Sequence, residues 1–504
     1  MLEAALSAFE NMFGCPCILG IFPSRLLFLF MGVIVGLALG AIPGLGGLVG
    51  LAILLPFTYT MDAFEALAIM IGLLAVTTTS DTIPSVLFAV PGTTGSQATI
   101  LDGHPMARRG EAGRAFGAAY MASMLGGLFG AIVLALSIPM LRPLVLLLGS
   151  PEFFMMGILG ISMVAVLSGR APVKGLVAGA LGLGVGMIGV DPQTGSLRWT
   201  FGQLYLWDGL PLVPVTLGIF AIPEIVDLAI KGTRIADVPQ QALKGTAAGI
   251  RDAFRHWFLI IRSSTIGVWV GAIPGLGTSV VDWFAYGHAV QTEKHASETF
   301  GKGDVRGVIA PESANNAKEG GSLIPTIAFG IPGSASMALL LAALLIHGIS
   351  PGPDMITTNL DLTYTMIWSL ALANIFGTGI CLALTPLLAQ VARVRIQLLA
   401  PLVIMVVFLA AVQASSQFGD LVSLLCFSVL GWFMKRFGWP RPPVILGLVL
   451  SKIIENYLYI SVGAYGLTWL GRPIVLLILA LTVVSLVFGI RQTRKVKVRE
   501  ENVA

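Results

Sequence analysis

The sequence predicts an all-α polytopic membrane protein made of two homologous halves. Of its 504 residues, 56% are hydrophobic and only 11% are charged, against about 25% charged residues in a soluble protein. Apolar runs of helix-spanning length recur along the chain. A seven-residue motif also occurs twice, at residues 40–46 and 271–277. We therefore expect about 11 to 14 membrane segments, arranged as two repeats that contain Gly/Pro-broken helices or re-entrant hairpins.

The N-terminal residues 1–25 are predicted to form an interfacial segment. Residues 1–24 contain no Lys or Arg, and no cleavage site precedes a soluble domain, so we expect the first apolar segment to be retained. The four cysteines form no disulfide framework, since Cys15 and Cys17 are not spaced as CxxC and no paired Cys or His is near them. We expect no metal site there.

Residues 26–230 and 260–490 are the two predicted transmembrane repeats. The motif Gly40-Ala-Ile-Pro-Gly-Leu-Gly46 returns without change at an offset of 231 residues, from Gly40 to Gly271. Ile83-Pro84 followed by Pro91-Gly92 matches Ile324-Pro325 followed by Pro332-Gly333, at an offset of 241 residues. Two ordered matches indicate an internal duplication, and these repeats are called the first half and the second half below.

The basic loops alternate between the halves, which predicts an inverted topology. Lys and Arg mark cytoplasmic loops. The first half carries Arg108, Arg109 and Arg114 after Pro91-Gly92, whereas no Lys or Arg occurs between Glu319 and Ala392 in the second half. Conversely, the second half carries three basic residues where the first half shows only Arg198 nearby: Lys435, Arg436 and Arg441.

The linker at 231–259 and the tail at 491–504 are predicted to be cytoplasmic. Six basic and two acidic residues lie between Lys231 and Arg262, and residues 251–258 are typical of an amphipathic helix on the membrane surface. A solvated connector is the alternative. Five basic residues between Arg491 and Arg499 place the C-terminus inside. The same alternation places the N-terminus outside, unless the first helix lies in the interface.

Residues 311–337 are rich in Gly, Pro, Ser, Asn and Ala and lie between long apolar runs. Pro325 and Pro332 each remove a helix donor, so we expect a break in the backbone here. Lipid tolerates such a break only where protein buries it or where it lines a cavity.

The Gly/Pro breaks come in two matched pairs, which predicts a transport site at the middle of the membrane. Free N–H groups at a half-helix suit an anion, and free C=O groups suit Na⁺. Kinks and close packing of small residues are the alternative interpretation. The predicted substrate-binding residues are Gly44, Gly46, Thr93, Thr94, Ser96, Gly275, Gly277, Thr278, Ser313, Asn315, Asn316, Ser334 and Ser336. The predicted ligands of a coupling cation are Gly46, Asp81, Gly277 and Asn316.

Four further ionisable residues lie near the breaks: Asp282, Glu312, Lys318 and Glu319. Intramembrane ionisable groups are functional candidates. For Lys318 and Glu319 the alternative is a place at the cytoplasmic surface, and for Asp282 it is a structural pairing.

Enzyme motifs are missing or misplaced in the sequence. No H-E-x-x-H or P-loop occurs, and the G-x-S-x-G at residues 348–352 follows an apolar helical run and continues into prolines. We interpret it as a turn and expect no catalytic activity.

At these motifs the chain resembles the large membrane subunit of the tripartite tricarboxylate transporters, the TctA-like family. The resemblance covers nearly the whole chain and rests on the two seven-residue motifs and on residues 102–113, 191–195, 285–287, 311–317, 330–333 and 438–443. It implies a secondary transporter of the bacterial inner membrane, with a small TctB-like membrane subunit and a periplasmic TctC-like binding protein. The binding protein would deliver a small tri- or dicarboxylate, and an ion gradient would drive uptake.

The function predicted from the sequence is therefore cation-driven import of small organic carboxylates, with Na⁺ favoured over H⁺ and no other cofactor. A block that carries the site would move against a scaffold, as in an elevator, although rocking remains open. A stand-alone carrier or channel and an intramembrane enzyme are the other classes to be tested.

Overall fold

The computed structural model describes residues 1–14, 17–18, 22–43, 46–167, 172–191, 193–231, 245–274, 278–391 and 396–501. The helices in the first half and the linker, numbered in chain order, are α1 (Leu2–Gly14), α2 (Ser24–Ala41), α3 (Gly47–Leu54), α4 (Ala63–Ser80), α5 (Thr82–Phe88), α6 (Ile100–Arg108), α7 (Ala112–Leu146), α8 (Ser150–Leu167), α9 (Pro172–Gly186), α10 (Leu212–Thr216), α11 (Ile222–Lys231) and α12 (Thr246–Arg255).

The second half contributes ten more helices. They are α13 (Trp257–Ala272), α14 (Thr278–Thr292), α15 (Ala296–Thr299), α16 (Arg306–Phe329), α17 (Ala335–Ile346), α18 (Leu360–Val391), α19 (Ile396–Val412), α20 (Phe418–Arg436), α21 (Pro442–Tyr465) and α22 (Pro473–Glu501). The strands of the described part form two short antiparallel pairs, β1 (Cys17–Ile18) with β2 (Phe22–Pro23) and β3 (Gly189–Val190) with β4 (Leu197–Arg198).

Six helices are long and apolar enough to cross a membrane, and seven shorter apolar helices accompany them in the described part. This composition confirms the predicted all-α polytopic membrane protein. The six are Ser24–Ala41, Ala63–Phe88, Ala112–Leu146, Leu360–Gln390, Phe418–Arg436 and Pro442–Tyr465.

Helices α4 and α16 form the buried centre of the protein. Nearly every residue of α16 is buried, including polar ones, and α4 is buried along most of its length. Small residues make this possible because they let backbones approach closely. A Cβ atom on Gly126 of α7 would lie 2.8 Å from the carbonyl carbon of Ser313, and one on Gly130 would lie 2.6 Å from the carbonyl oxygen of Ala317.

The two halves repeat the same helix crossing in the same register. In the first half, α2 lies against α4, and a Cβ on Gly36 would be 2.8 Å from the Cα of Leu73. In the second half, α13 lies against α16, and a Cβ on Gly267 would be 2.9 Å from the Cα of Ala314. These residues are related by the offsets of 231 and 241 that the sequence motifs define. The shared register supports the proposed duplication.

The ends of the crossing helices also match. Helix α2 stops at Ile42 with φ −91° and ψ 114°, and α13 stops at Ile273 with φ −89° and ψ 112°. Helix α5 ends in a left-handed residue at Ala89, and α16 ends in one at Gly330. Both halves therefore break the backbone at equivalent positions.

The break in the second half is shorter than the sequence predicts. Pro325 was expected to interrupt the helix, but α16 continues through Pro311 and Pro325 and ends at Phe329. Packing against neighbouring helices lets a buried helix tolerate such a proline, and α16 is buried around Pro325. The backbone leaves the helix only at residues 330–334.

Basic side chains of the first half contact the linker helix and loops of the second half. Arg109 donates to the carbonyl of Lys302 (2.9 Å), and Arg114 pairs with Asp252 of α12 (2.6 Å). Lys174 donates to the carbonyl of Phe437 (2.8 Å). The predicted amphipathic helix at 251–258 differs in the structure, since α12 ends at Arg255 and α13 begins at Trp257. Most of the linker lies outside the described residues.

Candidate functional site

Asp81 is a fully buried carboxylate between α4 and α5. The chain returns to it after the first-half break, because a Cβ on Gly92 would lie only 2.6 Å from the Cα of Asp81. This return brings the Thr93 hydroxyl into a hydrogen bond with Oδ2 of Asp81. The Thr93 hydroxyl in turn accepts the N–H of Gly95 (3.1 Å). The loop therefore holds one carboxylate oxygen in a fixed position.

Ser96 fixes the conformation of this loop. Its hydroxyl receives a hydrogen bond from Ser85 (3.0 Å) and lies 3.2 Å from the carbonyl oxygen of Thr93. The N–H of Thr93 also donates to the Ser96 hydroxyl (3.3 Å). Thr93 is half-buried and Thr94 is exposed, whereas Ser96 is buried. The hydroxyls of Thr93 and Ser96, two predicted substrate ligands, are thus both engaged in shaping the loop.

The two first-half breaks meet at Thr93. Gly46 ends the first of them with φ +22°, and a Cβ at that position would lie 3.5 Å from Cγ2 of Thr93. The predicted ligands Gly44, Gly275 and Gly277 lie outside the described residues, and only the backbone of Thr278 is described, as the first residue of α14.

Two amides of α16 reach the first half. Asn315 donates through Nδ2 to the carbonyl of Thr78 (3.4 Å). Asn316 donates through Nδ2 to the Thr79 hydroxyl (2.9 Å) and to Oδ1 of Asn374 (2.8 Å). A Cβ on Gly95 would collide with the Asn315 side chain. Asn315 therefore lies directly beside the loop that carries Thr93.

Three buried oxygens of this cluster have no hydrogen-bond partner in the described part of the chain: Oδ1 of Asp81, Oδ1 of Asn315 and Oδ1 of Asn316. Buried polar atoms are almost always paired, so each unpaired atom requires an explanation. Carboxylate and amide oxygens without donors are suitable ligands for a hard cation such as Na⁺. Ser313, another predicted ligand, bonds instead to the Ala310 carbonyl of its own helix (3.0 Å).

Two more buried carboxylates, Glu312 and Asp282, contact the residues that follow the first-half loop. Glu312 accepts hydrogen bonds from Thr99 (2.7 Å) and Ser123 (3.2 Å). Asp282 accepts the backbone N–H of Ala98 (2.9 Å). Sequence reasoning did not identify Thr99, Ser123 or Asn374 as partners. A lone Asn within the apolar run of α18 was the available signal for Asn374.

Lys318 and Glu319 are buried and do not lie at the cytoplasmic surface, so that alternative is wrong. Their side chains are 1% and 4% exposed and form an ion pair with each other. The backbone of α16 at Lys318 lies against Gly271 of α13, where a Cβ would be 3.0 Å from the Cα of Lys318. This contact holds the pair inside the protein.

Ser334 and Ser336 lie at the second-half break. Ser334 is the N-cap of α17 and accepts the N–H of Met337 (3.3 Å), and both serines are half-buried. Gly333 returns the chain to α16, because its Cβ would lie 2.8 Å from the Cα of Ser322. Helix α17 packs against α3 and α4. The second break thus adjoins the first half. Among the predicted site residues, Thr93 contacts Gly46 and Asp81, and Asn315 contacts Gly95 in the same loop as Thr93.

A buried polar cluster between paired helix breaks, within a bundle of apolar helices, is typical of membrane transport proteins. The chain belongs to the tripartite tricarboxylate transporter TctA family, whose sequence profile it matches over residues 26–446. This is a family of transporters, and the residues that suggested it in the sequence lie in the matched region.

Two relatives come from Agrobacterium vitis. The chain is 31% identical over 489 residues to an "uncharacterized 52.8 kDa protein in TAR-I ttuC' 3'region", which covers 95% of this chain and 97% of the relative. It is 31% identical over 192 residues to an "uncharacterized protein in TAR-II ttuC' 3'region", which covers 38% of this chain and 79% of the relative. No solved structure matches the chain.

Proposed function

We propose that this chain is the large membrane subunit of a secondary transporter that imports small organic carboxylates across the bacterial inner membrane. The single observation that carries this proposal is the buried cluster of Asp81, Thr93, Asn315 and Asn316, with three unpaired oxygens beside a helix break. Membership of the family supports the substrate class. The C-terminus lies on the cytoplasmic side.

The coupling cation is Na⁺, and it binds at Oδ1 of Asp81 with the amide oxygens of Asn315 and Asn316. These atoms are buried and have no donor in the described part of the chain. Backbone carbonyls near Gly46, which lies against Thr93, complete the coordination. A positive ion at this position offsets the free energy of burying the Asp81 carboxylate.

The carboxylate substrate binds where the two breaks adjoin, at the hydroxyls of Ser334 and Ser336, since the Thr93 hydroxyl already donates its one proton to Asp81. Ser334 begins a helix of 12 residues, whose free N–H groups attract negative charge. The half-buried side chains of Thr93 and Ser336 lie at the same breaks. A hydroxyl binds a carboxylate without adding a second buried charge.

A small TctB-like membrane subunit and a periplasmic TctC-like binding protein complete the transporter, as the family name implies. The binding protein delivers the substrate, and the block that carries the site moves against the remaining helices.

The test is uptake of labelled di- and tricarboxylates into proteoliposomes that hold this chain and its small partner. The assay is run with and without the binding protein, and with and without an inward Na⁺ gradient. We expect uptake that requires both. Uptake without the binding protein would identify a stand-alone carrier or channel, uptake driven only by a proton gradient would reject Na⁺, and substrate turnover in detergent would indicate an enzyme.

A further inference from the structure

Residues 197–207, called the aromatic loop below, present large apolar side chains to the surface outside any membrane-crossing helix. These exposed side chains are Leu197, Trp199, Phe201, Leu204 and Trp207. Phe201 is 83% exposed. Exposed apolar groups that cluster in one segment mark an interaction surface. The preceding residues 193–196 are exposed too, but they are polar or glycine, so the apolar surface begins with the loop.

An ion-pair network fixes the start of the aromatic loop. Arg198 donates two hydrogen bonds to the carboxylate of Glu455 in α21 (2.6 and 3.0 Å) and pairs with Asp191 (3.3 Å). Arg198 is the one charged residue within the loop, and these carboxylates neutralise it. Asp191 begins the motif at residues 191–195, so this motif helps to hold the loop in place.

Tyr205 fixes the other end of the loop on α20. Its hydroxyl donates to Asp420 (3.1 Å) and lies 3.0 Å from the Ser423 hydroxyl. A Cβ on Gly419 would lie 2.5 Å from the Tyr205 ring, so this ring packs directly on the first turn of α20. The loop is thus attached to two different helices, and its apolar side chains are held at the surface.

The backbone of the aromatic loop is unfavourable at two of its exposed aromatic residues. Trp199 has φ 51° and Phe201 has φ 49°. A bulky side chain adopts this left-handed region only at a cost in free energy. An aromatic ring exposed to water gains nothing that offsets such a cost, whereas a ring in an apolar environment does. The conformation therefore indicates that these rings contact an apolar environment.

The height of the loop along α20 and α21 places it near the outer boundary of the membrane. Arg436 ends α20 and Arg441 precedes α21, and basic residues mark the cytoplasmic side. Asp420 lies 16 residues before Arg436, and Glu455 lies 14 residues after Arg441. At about 1.5 Å per residue, these two contacts of the loop are about 24 Å and about 21 Å from the cytoplasmic ends. The hydrocarbon core is about 30 Å thick, and interfacial apolar groups reach about 5–10 Å into the membrane.

The apolar surface of the loop continues a lipid-facing stripe on α20, a helix long and apolar enough to cross a membrane. The exposed apolar side chains of this helix recur at helical spacing, as Phe418, Val422, Leu425, Val429 and Phe433. Phe418 directly precedes Gly419, on which Tyr205 packs. The lipid that covers the stripe therefore extends to the loop.

We propose that the aromatic loop is an anchor in the outer interface of the membrane, and that lipid covers its exposed side chains at the boundary between headgroups and acyl chains. Trp favours this boundary because its ring is apolar and its N–H is polar. The loop places Trp199 and Trp207 there, with its one charge neutralised. Because the loop is attached to α20 and α21, the anchor sets the depth of both helices in the bilayer.

A protein partner is the competing occupant of this surface. Helix α21 continues for ten residues beyond Glu455, to Tyr465, which is a rise of about 15 Å. The loop therefore lies below the outer end of α21 and does not project beyond it. A water-soluble partner meets the end of α21 first, whereas lipid reaches the loop from the side.

The first experiment attaches a nitroxide spin label to Phe201→Cys or Leu204→Cys, in a background without the four native cysteines and in liposomes. Collision of the label with O₂, which dissolves in lipid, is compared with collision with a water-soluble nickel chelate. We expect O₂ to dominate at both positions. Thr194→Cys is the matched control, because Thr194 is exposed and lies in the polar segment before the loop, and the nickel chelate should dominate there.

The same measurement is repeated with the small membrane subunit and then with the binding protein added. O₂ that still dominates at Phe201→Cys supports lipid as the occupant. A label that collides mainly with nickel would overturn the proposal, since water then covers the loop. Loss of collisions with both reagents after a protein is added would also overturn it, because that protein then covers the loop.

The second experiment keeps the native cysteines and uses bilayers of lipids that are brominated either close to the headgroup or close to the end of the acyl chain. Bromine quenches Trp fluorescence on contact. In Trp199→Phe/Trp207→Phe, we expect the amount of fluorescence lost to the shallow bromine to fall, and the amount lost to the deep bromine to stay unchanged. Trp469→Phe is the control, since Trp469 is buried, and it should change neither amount. A double variant that loses as much fluorescence to the shallow bromine as the wild type would overturn the anchor.

Discussion

Asp81 shows what a single residue contributes to this site. Its carboxylate is buried, one oxygen is fixed by Thr93, and the other has no partner in the described chain. The sequence identified Asp81 because an acid beside a Gly/Pro break in an apolar chain is costly unless it has a use. The sequence could not place Asn315 against the loop that carries Thr93, or Glu312 beside Thr99 and Ser123, since these residues are about two hundred positions apart and only the packing of α16 on the first half brings them together.

Replacing Asp81 by Asn tests this assignment. The amide has nearly the same shape and still accepts the Thr93 hydrogen bond, so we expect normal folding but at least about a tenfold loss of Na⁺-driven uptake, because no negative charge remains to hold the cation. Uptake into proteoliposomes at several Na⁺ concentrations measures the loss. Asp62→Asn is the matched control, since Asp62 only caps the start of α4 by accepting the N–H of Phe64 (3.1 Å). Wild-type Na⁺ dependence in Asp81→Asn would remove the residue from the site.

Helix α16 shows which properties of an element follow from its sequence. Its small residues correctly predicted close packing, but its prolines suggested a break that the structure confines to residues 330–334. Proline breaks a helix in water because the lost hydrogen bond and the clash are uncompensated. In this buried helix, packing against neighbouring helices stabilises the backbone around Pro325. The local pattern does not reveal those tertiary contacts.

The repeated helix crossing leads to a prediction about Gly267. A Cβ here would lie 2.9 Å from the Cα of Ala314, so α13 and α16 must separate in Gly267→Ala. We expect a destabilisation of about 1–3 kcal/mol, which is typical of overpacking, together with reduced uptake. Thermal unfolding in detergent measures the first effect. Gly379→Ala in α18 is the control, since a Cβ there meets no atom within 4 Å and should leave Tm equal or higher. Equal behaviour of the two variants would contradict the close crossing.

Asp102 joins α6 of the first half to the loop before α16. Its Oδ1 accepts the N–H groups of Gly303 and Asp304 (both 2.8 Å), and its Oδ2 accepts the hydroxyl of Tyr286 (2.9 Å). Asp102 is fully buried. This one side chain therefore satisfies donors from two elements of the second half.

Asp102→Ala leaves those three donors without an acceptor, and each unsatisfied buried donor costs about 1–3 kcal/mol. We expect a Tm loss in the purified protein that is clearly larger than that of Tyr286→Phe, which removes one hydrogen bond and should cost about 0.5–1.5 kcal/mol. Comparing the two melting curves checks the prediction. A smaller loss in Asp102→Ala than in Tyr286→Phe would show that water satisfies the loop.

At the scale of the whole molecule, the sequence predicted the membrane class and the two halves because both follow from pattern alone. Apolar runs and an identical heptapeptide need no knowledge of contacts. The inverted orientation remains a proposal, since it depends on which side of the bilayer each loop faces. Positively charged loops favour the cytoplasmic side.

Cysteine labelling in intact cells tests this orientation directly. In a background without the four native cysteines, we expect Lys302→Cys to resist a membrane-impermeant thiol reagent until the cells are opened, because its loop binds Arg109 of the basic first-half loop. We expect Thr194→Cys and Ser350→Cys, both at exposed positions, to react in intact cells. Thr194 lies in the first half and Ser350 in the second, and the two follow different numbers of helices. If the halves are inverted, Thr194→Cys and Ser350→Cys both react outside and Lys302→Cys stays protected inside. If the halves were parallel, the loop at Ser350 would lie on the same side as the basic loop after Pro91-Gly92. Ser350→Cys would then be protected from the reagent.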